Sequence, residues 1–372
     1  MPFTESGVRE ILSHFAIPGA YVSYTPIIAG HINDTMRVQF NTDGTETYYI
    51  LQRINTHVFT DPDALMDNIL RVTAYLADFV RRSGGDTQRE TLTVFPTKDG
   101  ASYYRTPEGD CMRVYNCVTD TYTLQQIEDA EDFRKAGEAF GRFQNMLADY
   151  PSHSLHETIA HFHDTVSRFA DLRAAIAHNA AGRLDRVADE IEFCMQREAD
   201  THVLVDLLAA GKLPLRVTHN DTKLNNVLFD CATKKGVCIV DLDTVMPGLS
   251  LYDFGDSIRF GANTAAEDET DLSKVSLNLD FYKAYTDGYL STAGSCLTAT
   301  EIEYLPFSAK LMTFECGIRF LTDFLNGDTY FHTAYPDHNL DRCHTQFALV
   351  ADMERKMQQM RQITAESAAL YC

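Results

Sequence analysis

Residues 216–241 read RVTHNDTKLNNVLFDCATKKGVCIVD, and this stretch decides the fold. Its apolar runs predict the two strands of one antiparallel hairpin, Val227–Phe229 and Val237–Val240. Residues that flank paired strands become neighbours about 5 Å apart at the backbone. The pattern therefore predicts that Asn226 and Asp241 meet at the mouth of the hairpin, with a second carboxylate, Asp221, in the loop before it.

An amide and two carboxylates brought together offer the oxygen ligands that Mg²⁺ prefers, with phosphates completing the coordination. Taken singly, Asp and Asn in loops are usually turn formers. Asp221, Asn226 and Asp241 at this joint spacing instead favour a metal–phosphate site. Lys223 would offset charge on a transferred phosphoryl group, and the alternative is a solvated loop lysine.

The loop pattern His-x-Asp-x-Lys-x-x-Asn, with an Asp fifteen residues after the Asn, resembles the catalytic loop and metal-binding Asp of the protein-kinase-like fold. Tyr252-Asp253-Phe254-Gly255-Asp256 follows at once and leaves no room for a long activation segment. The chain therefore resembles the aminoglycoside phosphotransferase and choline kinase family, which phosphorylates small molecules. In that family's pattern Asp253 braces the catalytic loop and His219 packs beneath it.

The resemblance implies an α+β, protein-kinase-like two-lobe fold. A small β-rich N-lobe, residues 1–116, would bind ATP, and a larger, mainly helical C-lobe, residues 117–372, would carry catalysis and the substrate. Hydrophobic periodicity and turn residues give the same order of elements. The predicted strands are Tyr21–Ile28, Thr35–Phe40, Thr47–Arg53 and Met112–Val118, and the predicted helical patterns are a helix starting at Thr60 or Asp61 and the segments 133–147, Arg183–Leu208 and Glu301–Leu325.

Gly30-His31-Ile32-Asn33 lies between the first two predicted strands, where the family carries a loop that covers the phosphates. A single Gly is a weak phosphate cradle, and an ordinary β-turn is the alternative. Backbone amides together with His31 and Asn33 would reach a phosphate or the acceptor.

Gln52 stands where most relatives carry a phosphate-pairing Lys, and the usual Lys–Glu ion pair is not evident in the sequence. Arg53 faces the other side of the strand by alternation. The hinge between the lobes is predicted to lie near Tyr115–Asp120, and Tyr115 and Cys117 complete the predicted nucleotide contacts.

Further segments resemble the N-acetylhexosamine 1-kinases within this family, namely Gly30–Asn33, Tyr49–Gln52, Arg216–Asn226, Asp241–Thr244, Phe254–Gly261 and Glu315–Leu321. This resemblance implies an ATP- and Mg²⁺-dependent kinase that phosphorylates the anomeric hydroxyl of an N-acetylhexosamine. It also implies that Asp221, Arg319 and Tyr330 hold the sugar. The alternatives are a kinase for choline, homoserine or an aminoglycoside, or a nucleotide-binding protein without turnover.

The composition and net charge of the chain limit the classes of partner that we expect it to bind. The net charge of −21 argues against binding to nucleic acid or to an anionic membrane surface. The nine cysteines are scattered without a Cys-x-x-Cys pair, as in reduced cytosolic proteins. No spanning segment or secretory signal is evident, so we expect a cytoplasmic monomer or weak oligomer. His161 and His163 do not share a helix face, which favours a structural or substrate-adjacent role over a zinc site.

Overall fold

The structure is a computed structural model, and it describes residues 3–27 and 32–372. It divides into two compact units. The first unit comprises Met1–Tyr122, Ser154–Ile159 and Leu228–Met246, and the second comprises Thr123–His153, Ala160–Val227 and Pro247–Cys372.

The helices are α1 (Glu5–Ser13), α2 (Pro62–Arg82), α3 (Ala130–Met146), α4 (Thr165–His178), α5 (Ala188–Met195), α6 (Glu198–Ala209), α7 (Ser250–Gly261), α8 (Leu279–Ala293), α9 (Ala299–Asn326) and α10 (His338–Tyr371). The strands are β1 (Ala20–Ile27), β2 (Asp34–Thr42), β3 (Thr45–Ile54), β4 (Val94–Phe95), β5 (Tyr104–Arg105), β6 (Cys111–Asn116), β7 (Thr121–Tyr122), β8 (Arg216–Thr218), β9 (Val227–Asp230), β10 (Gly236–Ile239) and β11 (Met246–Gly248). Short 3₁₀ turns cover Ser152–Ser154, Leu184–Arg186, Leu224–Asn226, Leu242–Thr244, Leu272–Lys274 and Gly294–Cys296.

Across the described residues, an antiparallel sheet in the order β1-β2-β3-β6-β4, with β5 paired to β6, forms the base of the first unit. The turn between β2 and β3 has positive φ at Asp43 and Gly44, 51° and 85°. This is the conformation that a tight hairpin needs, and it is why the Asp-Gly pair is a hairpin signal. The hairpin predicted from Val227–Phe229 and Val237–Val240 is also confirmed, because β9 pairs with β10. Strand β7 pairs with the other edge of β9.

Helix α2 begins where the sequence predicts. The Asp61 carboxylate accepts the backbone N–H groups of Asp63 and Ala64, and Pro62 occupies the first turn. Gly84, just past the end, has a positive φ of 73°. The apolar stripe along the helix is buried, at Leu65, Ile69, Val72, Leu76 and Val80.

The second unit is mainly helical. Helices α3 and α8 cross at very close range because glycines face the opposite backbone. A Cβ added at Gly137 of α3 would lie 2.5 Å from the Tyr285 carbonyl oxygen, and one at Gly288 of α8 would overlap the Arg134 carbonyl oxygen. Helices α4, α5, α9 and α10 share another buried core.

The predicted helical pattern over Arg183–Leu208 is wrong as a continuous helix, because the chain divides it into a 3₁₀ turn, α5 and α6. The break at Arg197 has φ −115° and ψ 8°, outside the helical region. The Arg197 guanidinium lies 3.5 Å from the ring centroid of Phe193, and its Nη2 lies 2.8 Å from a Glu354 carboxylate oxygen. The apolar periodicity of the segment carries no information about the contact with Glu354, which lies on α10.

Helices formed by the described residues include none that is both long and apolar enough to cross a membrane.

Gly288→Ala tests the close crossing of α3 and α8. The added methyl must push the two helices apart, so we expect the free energy of unfolding to fall by about 1–3 kcal/mol. Urea denaturation followed by circular dichroism measures this loss. Ser291→Ala, at an exposed position about one turn further along α8, is the control and should stay within about 0.5 kcal/mol of wild type. Equal effects of the two changes would contradict the tight crossing.

Candidate active site

The loop that follows β8 is held from below by Asp253 of α7. One Asp253 carboxylate oxygen accepts the His219 backbone N–H at 2.8 Å, and the other accepts the Asn220 N–H at 2.7 Å. The Thr222 hydroxyl donates to the Asp253 carbonyl oxygen at 2.8 Å. The predicted bracing role of Asp253 is therefore confirmed.

His219 is fully buried beneath this loop. The rings of Phe140 and Phe143 on α3 approach its imidazole edge-on, with centroids 5.8 and 6.0 Å away. Its Nδ1 accepts the backbone N–H of Asp221 at 3.3 Å. The histidine thus supports the loop, as the sequence predicts, and its ring takes no part in the exposed surface.

Three of the predicted site residues lie together in the second unit. The Lys223 ammonium is 2.9 Å from Asp221 Oδ1, and the Asn226 side-chain amide donates to the Asp221 carbonyl oxygen at 2.8 Å. Burial lowers the pKa of Lys223, but the neighbouring Asp221 carboxylate outweighs this and leaves that pKa raised. Lys223 therefore stays charged beside a partly exposed carboxylate.

Two residues of this region adopt left-handed backbone conformations that are uncommon for a side chain other than glycine. Asn220 has φ 64° and Asp241 has φ 59°. Asn220 directly precedes Asp221, and Asp241 begins the 3₁₀ turn Leu242–Thr244. Strained backbone of this kind concentrates at functional sites. Asp241 belongs to the first unit, so its meeting with Asn226 stays a prediction.

In the first unit, Gln52 of β3 is paired in register with Arg113 of β6. Arg113 Nε and Nη2 donate to Gln52 Oε1 at 3.1 and 2.9 Å, and Nη2 also lies 2.6 Å from Asp243 Oδ1. The Arg113 side chain is 1% exposed. Where the family's usual lysine is missing, the first unit thus places a buried arginine beside the glutamine.

This arginine is held as a cation by its surroundings. Burial lowers the pKa of Arg113, but Asp243 first and Asp241 further off outweigh the burial, so the pKa is raised. Asn33 donates to the second Asp243 oxygen at 2.6 Å. The cluster therefore joins β6 to the turn after Asp241 and to the segment before β2 through hydrogen-bonded charges.

The other predicted nucleotide-binding residues of the first unit differ in their surroundings. Tyr115 is buried on the same face of β6, with the Arg113 guanidinium 5.0 Å from its ring centroid. Cys117, whose pKa burial raises, follows β6. Ile32 is exposed, whereas Gly30 and His31 lie outside the described residues.

The remaining predicted residues, Arg319 and Tyr330, line one cavity of about 420 Å³ in the second unit. This volume is within the range of small-molecule sites. The Arg319 guanidinium lies 5.3, 5.8 and 5.5 Å from the ring centroids of Phe162, Tyr330 and Phe331. The cage of three rings therefore already contains a cation that belongs to the protein.

A second arginine, Arg168, also lines this cavity. Burial lowers the pKa of Arg168, and the charge of Arg319 lowers it further. Glu315, whose Oε1 is 3.8 Å from Arg319 Nη1, outweighs burial and keeps the pKa of Arg319 raised. Asp323 faces the same space, but its carboxylate accepts the backbone N–H groups of Thr329, Tyr330 and Phe331.

Sequence reasoning missed Arg113, Asp243 and Glu315. An arginine inside the apolar strand Cys111–Asn116 was a signal, because a charge in such a strand needs a buried partner. Asp243 stands two residues after Asp241, and no local pattern marks it. Glu315 lies 152 residues along the chain from His163, so only the fold identifies that contact.

Comparison with known proteins agrees with this architecture. The model of the phosphotransferase enzyme family (APH) matches residues 23–289. An aminoglycoside phosphotransferase from Alicyclobacillus acidocaldarius aligns with TM-score 0.60 and 12% identity, covering 98% of each chain. A choline kinase from Cryptosporidium parvum aligns with TM-score 0.56 and 13% identity, covering 97% of this chain and 98% of its own.

A third structure is a spectinomycin phosphotransferase in complex with ADP and spectinomycin. It aligns with TM-score 0.54 and 13% identity, covering 96% of this chain and all of its own. Identities this low establish the fold and leave the acceptor open. The predicted protein-kinase-like α+β fold is therefore confirmed.

Arg113→Met tests whether the buried cluster stabilises the first unit. Removing one partner leaves Asp243 with an uncompensated buried charge, so we expect a loss of about 3–5 kcal/mol in the free energy of unfolding. The measurement is urea denaturation followed by circular dichroism. Adding Asp243→Asn, which removes the second charge, should restore part of the loss.

Arg53→Met is the matched control on β3. Arg53 pairs with Asp34 and Asp110, its side chain is 23% exposed, and both partners are about half exposed. Removing such a surface pair should cost about 1 kcal/mol or less. A smaller loss for Arg113→Met than for Arg53→Met would contradict the buried pairing.

Proposed function

We propose that this chain, which belongs to the phosphotransferase enzyme family, is an ATP- and Mg²⁺-dependent kinase for N-acetylhexosamines. The reaction transfers the γ-phosphoryl group of ATP to the anomeric hydroxyl and yields the sugar 1-phosphate. In this proposal residues 1–116 form the nucleotide-binding lobe, and residues 117–372 form the lobe that holds the sugar and the catalytic loop.

In the proposed mechanism Asp221 orients the acceptor hydroxyl and takes up its proton. Lys223 and the amides of the loop stabilise the moving phosphoryl group. The contacts that support these roles are the Lys223–Asp221 ion pair and the Asp253 brace beneath the loop. Phosphoryl transfer needs mainly positioning and electrostatic stabilisation, and a carboxylate fixed beside a cation suits both needs.

Asn226 and Asp241 are the residues that would hold Mg²⁺. Their chemistry fits, since both offer side-chain oxygens and Mg²⁺ takes oxygen ligands. The Asn226 NH₂ group donates to the Asp221 carbonyl, which leaves the amide oxygen as the group that would face a ligand. When bound, Mg²⁺ neutralises charge on the triphosphate.

For the nucleotide, we propose that Gln52, Tyr115 and Cys117 contribute contacts. Gly30, His31, Ile32 and Asn33 would form the loop over the phosphates. The Arg113–Gln52–Asp243 cluster supports this proposal because it fixes Gln52 and places a cation near Asp241 in the first unit. It offers a physical replacement for the Lys–Glu pair that the sequence lacks.

The acceptor is proposed from one observation, the guanidinium of Arg319 inside the three-ring cage. A quaternary or primary ammonium group needs such a cage, or free carboxylates, for itself. Here a protein cation already contacts the rings, a second arginine is close, and Asp323 is engaged with backbone amides. Arginine and tyrosine donors suit the hydroxyl and acetamido oxygens of a neutral sugar.

Phosphate acceptance across a panel of alcohols tests this assignment. Coupled ADP release should be at least about tenfold higher in kcat/KM, about 1.4 kcal/mol, for N-acetylglucosamine or N-acetylgalactosamine than for glucose, choline, homoserine or kanamycin. Phosphorus NMR of the product should place the phosphate on the anomeric carbon. Preferred turnover of choline or kanamycin would refute the sugar, and ATP binding without ADP release for any acceptor would favour a non-catalytic protein.

Asp221→Asn tests the proposed base. Removing a positioned proton acceptor typically costs about 10²–10⁴-fold, so kcat should fall by that factor while the KM for ATP changes little. Asp185→Asn, at an exposed site in the second unit, is the control and should keep wild-type kinetics. Turnover of Asp221→Asn within tenfold of wild type would exclude this role for Asp221.

Asp241→Ala tests the proposed metal ligand. We expect the loss of Mg²⁺-dependent turnover, because one of two protein oxygens for the ion is removed. Activity is measured against Mg²⁺ concentration. An unchanged rate and an unchanged Mg²⁺ requirement would show that Asp241 does not bind the metal.

A further inference from the structure

His163, in the turn before α4, connects two parts of the second unit. Its Nδ1 lies 3.0 and 3.2 Å from the two carboxylate oxygens of Glu315 on α9. Its Nε2 lies 3.1 Å from the carbonyl oxygen of Asn220. The imidazole is buried, with the rings of Phe162 and Tyr252 at 4.6 and 5.3 Å between centroids.

Both contacts of His163 are to hydrogen-bond acceptors. A carboxylate and a carbonyl each require an N–H, and neutral imidazole carries one. Only the doubly protonated ring satisfies both at once. The geometry therefore favours an imidazolium–carboxylate pair beneath the loop that carries Asp221.

The contact of His163 with Asn220 lies where the backbone conformation is uncommon. The Asn220 N–H is held by Asp253, and its carbonyl oxygen by His163. Its φ of 64° is a conformation that surrounding contacts must maintain. Asp221 is the next residue, so both bonds fix the direction in which its backbone leaves Asn220.

The opposite end of this connection reaches the cavity. Glu315 Oε1 is 3.8 Å from Nη1 of Arg319, whose guanidinium lines the cavity and contacts the ring of Tyr330. We propose that Arg319, Glu315 and His163 form a positioning relay that couples occupancy of the acceptor cavity to the placement of Asp221. This inference rests on the proposed function, because it treats the cavity as the acceptor site.

Charges from each neighbouring element act on His163. From α9 come Glu315 and Arg319, and from α7 come Asp253 and Asp256. Tyr252 of α7 contributes its ring. Burial acts to lower the pKa of His163, but Glu315 first and then Asp256 outweigh burial and Arg319, so the pKa is raised.

The sign of the pH dependence follows from this raised pKa. The interaction is fully present below the ordinary titration range of histidine. It is lost as the pH rises through the raised pKa of the folded protein. When His163 loses one ring proton, one of its nitrogens becomes an acceptor. That nitrogen then faces another acceptor, either the Glu315 carboxylate or the Asn220 carbonyl oxygen.

The first test compares the kinetics of His163→Gln and Glu315→Gln with wild type. His163→Gln cannot donate in both directions, so we expect kcat to fall about 10- to 100-fold, the effect of a small misplacement, with little change in the KM for ATP. Glu315→Gln keeps the shape and allows neutral His163 to bond to Asn220. It should lower kcat less, raise the acceptor KM, and abolish the alkaline fall of kcat that depends on His163, because neutral imidazole then satisfies both of its neighbours.

His338→Gln is the matched control. His338 is also buried in the second unit and lies 3.2 Å from an aspartate oxygen, that of Asp268. It should leave kcat, acceptor KM and the pH profile unchanged. Arg319→Lys keeps the charge at the cavity and should recover part of the kcat that Arg319→Ala loses. Wild-type kcat and pH profile in His163→Gln would overturn the relay.

A second readout needs no acceptor. In ¹³C-labelled-histidine NMR, one ring should stay protonated above the ordinary histidine range, disappear in His163→Gln and titrate lower in Glu315→Gln. Hydrogen exchange of the peptide 216–227 should increase in His163→Gln and not in His338→Gln. If these signals appear but no N-acetylhexosamine is phosphorylated, the sugar assignment fails and the His163 link to the loop stands. If N-acetylhexosamine turnover is normal and these signals are absent, the relay is wrong and the proposed function stands.

Discussion

The carboxylate of Asp253 makes the hydrogen bonds on which the loop after β8 depends. It is buried and accepts two consecutive backbone N–H groups, those of His219 and Asn220. Without it, these buried donors would lack their partner, at a cost of about 1–3 kcal/mol each. Burial raises the pKa of Asp253, and the neighbouring His219 and the two amides oppose that rise. One buried carboxylate therefore fixes the backbone of this loop at two consecutive residues.

Both units place a buried nitrogen-bearing side chain between a carboxylate and a neutral oxygen. In the first unit Arg113 lies between Asp243 and the Gln52 amide oxygen. In the second unit His163 lies between Glu315 and the Asn220 carbonyl. Compared with apolar groups of similar volume, a buried charge pair adds little to the free energy of unfolding. The pair is, however, very sensitive to geometry. Such pairs suit places where direction matters more than stability.

The local parts of this architecture could be predicted from the sequence. The hairpin of Val227–Asp230 and Gly236–Ile239 and the cap of Asp61 follow from alternation and short-range hydrogen bonds, which lie within a few residues. The partner of Gln52 could not be predicted, because strand pairing across 61 residues sets it. The same holds for His163 and Glu315, which are 152 residues apart. Helix periodicity also failed at Arg197, where the backbone leaves the helical region and the side chain pairs with Glu354 of α10.

Under the proposed function, the cavity around Arg319 would separate this chain's acceptor from those of ammonium kinases with the same fold. A ring cage attracts any cation through the quadrupole of the aromatic faces, and desolvation increases that attraction. When the protein supplies the cation itself, an ammonium substrate meets occupied rings and like charges, which raises its binding free energy. In this proposal the N–H groups of the Arg319 guanidinium would recognise the substrate, and they suit oxygen acceptors. Glu315 lies 3.8 Å from the same guanidinium, so in this proposal a substrate that engages Arg319 would also act on the link that leads to Asn220.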